Sequence, residues 1–323
     1  MAQPTDSFKQ FDYSLRPSKQ VERKIMIEVL LRLAKAQFNI SDYGYWGFGS
    51  VYYVDFVMFH KYLFIDKMTC VEWGDVEKRM RFNKPFKFIK LRLGALSKHI
   101  PRISSTERLF AWLDYDRAVD LEMLQDIHGM CNRLTRSSLL VITTDARPTL
   151  PKDQFQIEGL SLEQREIVTY QTYMEWFSQY IATAITRDTV SSVHVAPLFY
   201  EVICERMRQT LSRRGQGLRF IQLFNYVYRD GAPMLTVGGM IGTEEDERSL
   251  RKAGILDHRL VRSGPDYLEI SVPPLTVREK HWLDHRLDEK LTAAKLTFEL
   301  DEELLQNYRR FYREYPTYME TLL

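Results

Sequence analysis

From Tyr43 to Thr143, short β-prone runs alternate with stretches of helical periodicity, and that alternation limits the chain to a small set of folds. Tyr43–Phe48 (YGYWGF) is short, aromatic and punctuated by glycine. Val51–Leu63 is apolar enough for a buried helix, and Met68–Trp73 (MTCVEW) is a second β-prone run. The unit then repeats. Phe86–Leu93 predicts a strand, Ala95–Ile100 a short helix, Leu109–Leu113 a strand, and Leu121–Leu134 a helical stripe through Leu124, Ile127 and Cys131. Ser138–Thr143 predicts the next strand. Strands separated by helices at this spacing specify parallel βαβ units with right-handed crossovers. The expected fold is α/β, a doubly wound and mostly parallel sheet.

The period changes after Pro148. Val21, Ile25, Val29 and Leu33 already mark a helix ahead of the sheet, with Pro17 at its start. Ser161 and Gln164 form a capping-box signature ahead of Ile167, Tyr170, Met174 and Phe177, and a second helix is expected from Pro197 to about Arg213. Leu218–Tyr228 and Met234–Ile241 flank an Asp230-Gly231 turn and predict an antiparallel hairpin. Tyr267–Val272 reads as a strand; Thr276 with Glu279 opens another helix, and the tail from Asp301 is helical in pattern. With no internal repeat or low-complexity linker, residues 1–323 are expected to form one domain. Its core sheet would lie at about 40–147 and 218–272, with a helical insertion at about 150–213 and C-terminal helices at 276–323.

At 323 residues and 45% apolar content the chain can bury a large core unaided. Cys70, Cys131 and Cys204 are widely spaced and show no Cys-x-x-Cys pattern, so they read as buried thiols of a reducing compartment. With no long apolar run and no signal-like N-terminus, the expected location is cytoplasmic, without a membrane partner. Forty-five basic residues against 43 acidic ones give no global pull toward nucleic acid. Two local runs are denser. Arg79–Arg92 holds six cations and no acid, and Arg16–Lys24 holds Arg16, Lys19, Arg23 and Lys24. Both fit solvated faces; the alternative is a grip on an anionic substrate or nucleic acid, with Arg16, Lys19 and Arg23 closing over a ligand edge.

Open parallel sheets bind ligands at the carboxyl ends of their strands, so the residues there are the ones to inspect. After the first strand come Gly47, Gly49 and Ser50, where the backbone can approach a ligand and a helix N-terminus follows. The second run carries Glu72, placed to accept from ribose hydroxyls. Later strands end at Gly94-Ala95-Leu96, at Asp114-Tyr115-Asp116 and at Asp145. Glycine or acid at four successive strand ends is a stronger pattern than any one member.

Taken together, Tyr45-Trp-Gly-Phe-Gly-Ser50, Val71-Glu72, Gly94-Ala-Leu-Ser-Lys-His-Ile-Pro101, Trp112-Leu-Asp-Tyr-Asp116 and Val141-Ile-Thr-Thr-Asp145 resemble the ordered motifs of class I S-adenosylmethionine-dependent methyltransferases. The likeness is greatest to bacterial O-methyltransferases. It covers about residues 40–147, and the hairpin at 218–241 matches the antiparallel pair that ends that fold. The resemblance implies S-adenosylmethionine as cofactor and O-methylation of an unidentified acceptor. Gly47 and Gly49 would bracket the methionine moiety, Glu72 would hold the ribose and Ala95-Leu96 would flank adenine. Asp114 would face the sulfonium or the transferred methyl, and Asp116 is the second catalytic candidate. Tyr45 and Ser50 complete the cofactor-binding set. The pattern departs from the family at Tyr45 and at Ala95, where acids are usual.

Some O-methyltransferases bring a divalent metal to the acceptor, and Asp114, Asp116 and Asp145 are the candidate oxygen ligands here; helix capping is the competing role, and no further ligand stands out. The seven histidines show no ligand spacing, and His60 lies in an apolar helix as a core residue would. Pro273-Pro274 reads as a strand exit. A second functional class keeps the sheet but not the chemistry: a catalytically silent protein that binds nucleic acid or a protein partner, which the substitutions at Tyr45 and Ala95 would suit.

Overall fold

The computed structural model describes residues 16–72, 76–150, 159–191 and 194–316. Trp73 of the expected second strand, residues 151–158 of the expected insertion and residues 317–323 of the tail lie outside them. Eight strands form a continuous sheet: β1 (Gly44–Phe48), β2 (Lys67–Glu72), β3 (Lys90–Leu93), β4 (Leu109–Asp114), β5 (Leu139–Asp145), β6 (Arg219–Asp230), β7 (Ala232–Gly242) and β8 (Leu268–Ile270). Their order is β3-β2-β1-β4-β5-β7-β6-β8. Neighbours pair parallel except at β7, which runs antiparallel to both β5 and β6. This is the expected mostly parallel sheet with its C-terminal antiparallel hairpin. Strand order reverses between β1 and β4, which opens a crevice at their carboxyl ends.

Alternation along the strands sends side chains to two separate cores. Tyr45, Cys70, Phe110, Trp112 and Val141 face one side, with helices α1 (Pro17–Arg32) and α2 (Val54–Leu63). Trp46, Val71, Ala111, Leu113, Leu140 and Ile142 face the other. That side is covered by α4 (Leu121–Arg133), α5 (Leu162–Phe177) and α6 (Val195–Arg214); α3 (Glu77–Asn83) lies in the crossover from β2 to β3. The aromatic stripe of the insertion is core: Tyr173 and Phe177 pack on Phe199 at ring separations of 5.7 and 6.2 Å. Past the sheet come α7 (Glu244–Lys252), α8 (Val277–Asp284) and α9 (Glu302–Phe311), the last two sharing a small core of Leu283, Leu291, Leu305 and Tyr308.

Helix starts follow local chemistry. The capping boxes at Ser161/Gln164 and Thr276/Glu279 are both formed. Helix α1 has no side-chain cap of its own; the carboxylate of Asp230, at the end of β6, accepts from the backbone N–H groups of Ser18 (3.1 Å) and Lys19 (2.8 Å) instead. Expectation and structure part in four places. Phe86–Ile89 is a turn after Pro85, with Phe86 and Phe88 stacked, so β3 begins only at Lys90. Ala95–Ile100 yields two single-turn 3-10 segments, the second of which includes Pro101, which has no N–H to donate. Helices α3 and α7 were absent from the sequence expectation.

Candidate functional site

At the carboxyl edge, β1 ends at Phe48 and the chain turns through Gly49 and Ser50. The Ser50 hydroxyl accepts from Tyr52 N (3.3 Å), its carbonyl accepts from Tyr53 N (3.1 Å), and Tyr53 sits at φ +50° as the chain enters α2. Gly47 and Gly49 are explained by their own neighbours. A Cβ on Gly47 would lie 2.2 Å from the Tyr45 hydroxyl oxygen, and one on Gly49 would lie 2.2 Å from Cys70 Sγ. Gly94 differs: its φ of +103° suits glycine, nothing stands within 4 Å of where a Cβ would be, and its N–H donates to the Glu72 carbonyl (2.9 Å). The point above Gly94 is thus open, and Glu72 and Ala95 beside it are both half-buried. Leu96 is buried in the core of the α4 side.

Tyr45 lies in the opposite core. Its ring meets Phe56 and Phe59 edge-on at 5.0 and 4.9 Å, and burial, reinforced by the charges of Asp55 and Asp114, holds its phenol well above the ordinary range. It is a neutral core residue over Gly47.

Beside it, α1 carries charges into the interior. Lys19, Glu22 and Arg23 are each at most 2% exposed. The Lys19 ammonium lies 2.9 Å from Asp114 Oδ2 and 2.9 Å from Glu22 Oε2, donates to the Tyr228 hydroxyl (3.1 Å) and sits 4.3 Å above the Trp112 ring. Arg23 Nε pairs with Asp55 in the first turn of α2. Glu22 accepts from the Thr236 hydroxyl, which contacts Thr143 Oγ1 (2.7 Å); that oxygen accepts from Trp112 Nε1 (2.9 Å). Burial alone would lower the Lys19 pKa, but Asp114 and Glu22 more than reverse this and leave it raised. These contacts correct the expectation that Arg16–Lys24 is a solvated face: Lys19 and Arg23 are committed to internal ion pairs and unavailable to a nucleic acid. No local signal marks these two cations as buried, because their partners Asp55 and Asp114 lie 32 and 95 residues further along the chain.

The three candidate metal ligands are held apart by other partners. Asp145 is buried and gripped by Arg147, whose Nε stands 3.0 Å from both carboxylate oxygens. Asp114 belongs to Lys19, and Asp116 is exposed. Among the described residues no group of three or more His, Cys, Asp or Glu side chains is gathered as a metal site would require. Asp116 therefore differs from Asp114, which is 24% exposed at its side chain and turns one oxygen toward Lys19. Asp126, not among the expected site residues, accepts from Tyr115 (2.9 Å) behind β4, and burial pushes its carboxyl up to about 6.

The basic segment Arg79–Arg92 follows α3 and the edge strand β3. Arg81 pairs with Glu77 (2.6 Å), and Lys84 donates to the carbonyls of Lys87 and Ile89. Lysines on an edge strand are also a common defence against edge-to-edge pairing.

A family model described as "Putative O-methyltransferase" matches residues 11–323. The chain belongs to this family. No curated protein matches it. Among solved structures similar to this family member, Trm1 from Pyrococcus horikoshii with S-adenosyl-L-methionine shares 12% identity over 95% of this chain and 78% of that one, at a TM-score of 0.45. Spermidine synthase from Thermotoga maritima shares 7% identity over 75% and 68%, at 0.36. A LepI variant in complex with SAH and a substrate analogue shares 8% over 62% of this chain, at 0.33; the chain spans only 43% of that protein. Among the described residues no helix is long and apolar enough to cross a membrane.

Proposed function

We propose that this chain binds S-adenosylmethionine over the carboxyl ends of β1 to β4 and transfers its methyl group to an oxygen of an acceptor. The observation that carries the reading is the strand order, which brings the loop after Gly49, the Glu72 carboxylate, the open space at Gly94 and the Asp114 carboxylate to one edge at the point of reversal. Family membership supports the same chemistry. The cofactor would supply an electrophilic methyl for in-line displacement, and the protein's share is alignment. Glu72 would accept from the ribose hydroxyls, Ala95 would border the adenine, and Asp114, fixed by Lys19, would stand at the reacting end. The buried free thiols Cys70, Cys131 and Cys204 support a reducing, cytoplasmic setting.

Calorimetric titration with S-adenosylmethionine and S-adenosylhomocysteine tests this. Both should bind, and Glu72→Ala should weaken each by tenfold or more, since about 1.5–3 kcal/mol goes with a lost charge-assisted hydrogen bond. Because Glu72 is half-buried at a strand end, the variant should keep its native melting temperature. Absence of binding by the native protein would sink the reading. The second reading, a methyltransferase-like scaffold for a nucleic-acid partner, is favoured by the basic edge and by Phe82 and Phe88 exposed on it. Salt-sensitive RNA binding without cofactor binding would be its signature.

A further inference from the structure

Among the described residues, five ionisable side chains meet under α1: the cations Lys19 and Arg23, and the carboxyls of Glu22, Asp55 and Asp114. Fully ionised, the group would hold one negative charge more than it can neutralise, in a region of low dielectric where an unmatched charge is costly. Asp114 is the most exposed of the three carboxyls, ahead of Asp55, and stands at a strand end; Glu22 is wholly buried. The Glu22 carboxyl faces Lys19 and Arg23 from its own helix, Asp114 from β4, the Tyr226 and Tyr228 hydroxyls of β6 and Thr236 of β7, while Asp55 of α2 acts on Lys19 and Arg23. Its Oε1 accepts from Thr236, and its Oε2 lies 2.9 Å from a Lys19 ammonium that stands equally close, 2.9 Å, to Asp114. One ammonium is thus shared between two carboxyls and cannot neutralise both, and the wholly buried Glu22 is the one whose ionisation costs more.

We infer that Glu22 holds a proton in place of a cationic ligand, and that a positively charged cofactor at Asp114 displaces that proton. The inference rests on the proposed cofactor reading, and it assigns a use to charges that no ligand touches. With Glu22 protonated the cluster is neutral; with a sulfonium beside Asp114 it is neutral again once Glu22 ionises. Burial, with Asp114 adding and Lys19 opposing, raises the Glu22 pKa and so keeps the proton in place to higher pH than in an ordinary glutamate. In the proposed transfer the acceptor oxygen would form the new C–O bond, the S–C electron pair would stay on sulfur and the acceptor's hydroxyl proton would leave to solvent, so the sulfonium would become a neutral thioether. The cluster then regains its need for a proton, and the product loses the electrostatic hold that the cofactor had. Discrimination between the two follows from charge alone, since they differ otherwise by one methyl group.

The test is calorimetry with S-adenosylmethionine and S-adenosylhomocysteine in buffers of different ionisation enthalpy. Binding of S-adenosylmethionine is expected to release up to about one proton, and S-adenosylhomocysteine almost none. Glu22→Gln, which mimics the protonated side chain, should abolish the release while both ligands still bind. Asp114→Asn should weaken S-adenosylmethionine roughly tenfold and S-adenosylhomocysteine by less than about twofold. Equal proton release by the two ligands, or release that persists in Glu22→Gln, would overturn the inference and leave the cofactor reading standing. If the native protein binds neither ligand, both fall together. The native proton count decides the matter even if one variant fails to fold.

Discussion

The two faces of the sheet bury comparable apolar cores but treat charge differently. Under α4 and α6, buried acids are handled locally: Asp120 caps α4 at Met123 N (2.8 Å) and pairs with Arg117, and Asp126 accepts from Tyr115. Under α1, Lys19 and Glu22 are carried fully inside and matched by residues from β4, β6 and β7. Apolar packing would have served stability as well or better than such an ion cluster. The difference teaches that an ion cluster is buried on the side of Asp114, the carboxylate proposed to stand at the reacting end, whereas buried acids on the other side are met by near neighbours within the packing.

The sharpest way to break this comparison is Lys19→Met. It strands Glu22 and Asp114 without their cation and should cost about 3–5 kcal/mol in urea denaturation, with a loss that grows as pH rises. A small, pH-independent loss would mean that the charges are incidental. The counterpart on the packing side is Ile127→Ala, which removes a fully buried side chain of α4 and should cost about 2–4 kcal/mol, equally at low and high pH and salt. The smallest effect is expected at Asp126. Its folded pKa of about 6 lies above the unfolded value of 3.8, so between these values the folded state holds more protons and stability falls as pH rises. Asp126→Asn should remove that fall, worth roughly 2–3 kcal/mol, while leaving stability below pH 4 almost unchanged. Denaturation at pH 4 and pH 7 would show whether this face also carries a charge penalty, or only a local one.

Much of the fold was legible because its signals are local. Short β-prone runs from Tyr43 to Thr143 marked β1 to β5, and Asp230-Gly231 marked the hairpin. The Ser161 and Thr276 boxes marked two helix starts. Helix α7 escaped because its box, Thr243 with Asp246, closes with Asp where Glu or Gln is the usual third residue. The site was legible only as positions. Glu72, Gly94 and Asp114 were found from strand ends, but what Asp114 touches depends on Lys19, 95 residues earlier, and no local pattern separates a buried lysine from a solvated one in the run Lys19-Gln20-Val21-Glu22-Arg23. Gly47 and Gly49 read as ligand clearance. Their neighbours Tyr45 and Cys70 give them a second cause that only the packed structure displays.

The seat of α1 has a consequence for how the molecule is made. Its bonds to Asp230, Tyr228 and Thr236 join residues 209 to 214 positions apart, so this helix can meet Asp55 and Asp114 early but lacks the rest of its seat until the hairpin of β6 and β7 has been added. Lys19 and Glu22 are fully enclosed only then, late in translation. Completion of the hairpin thus acts as a checkpoint on assembly: a chain interrupted before β6 could form the early strands and still lack the contacts that close over Lys19 and Glu22.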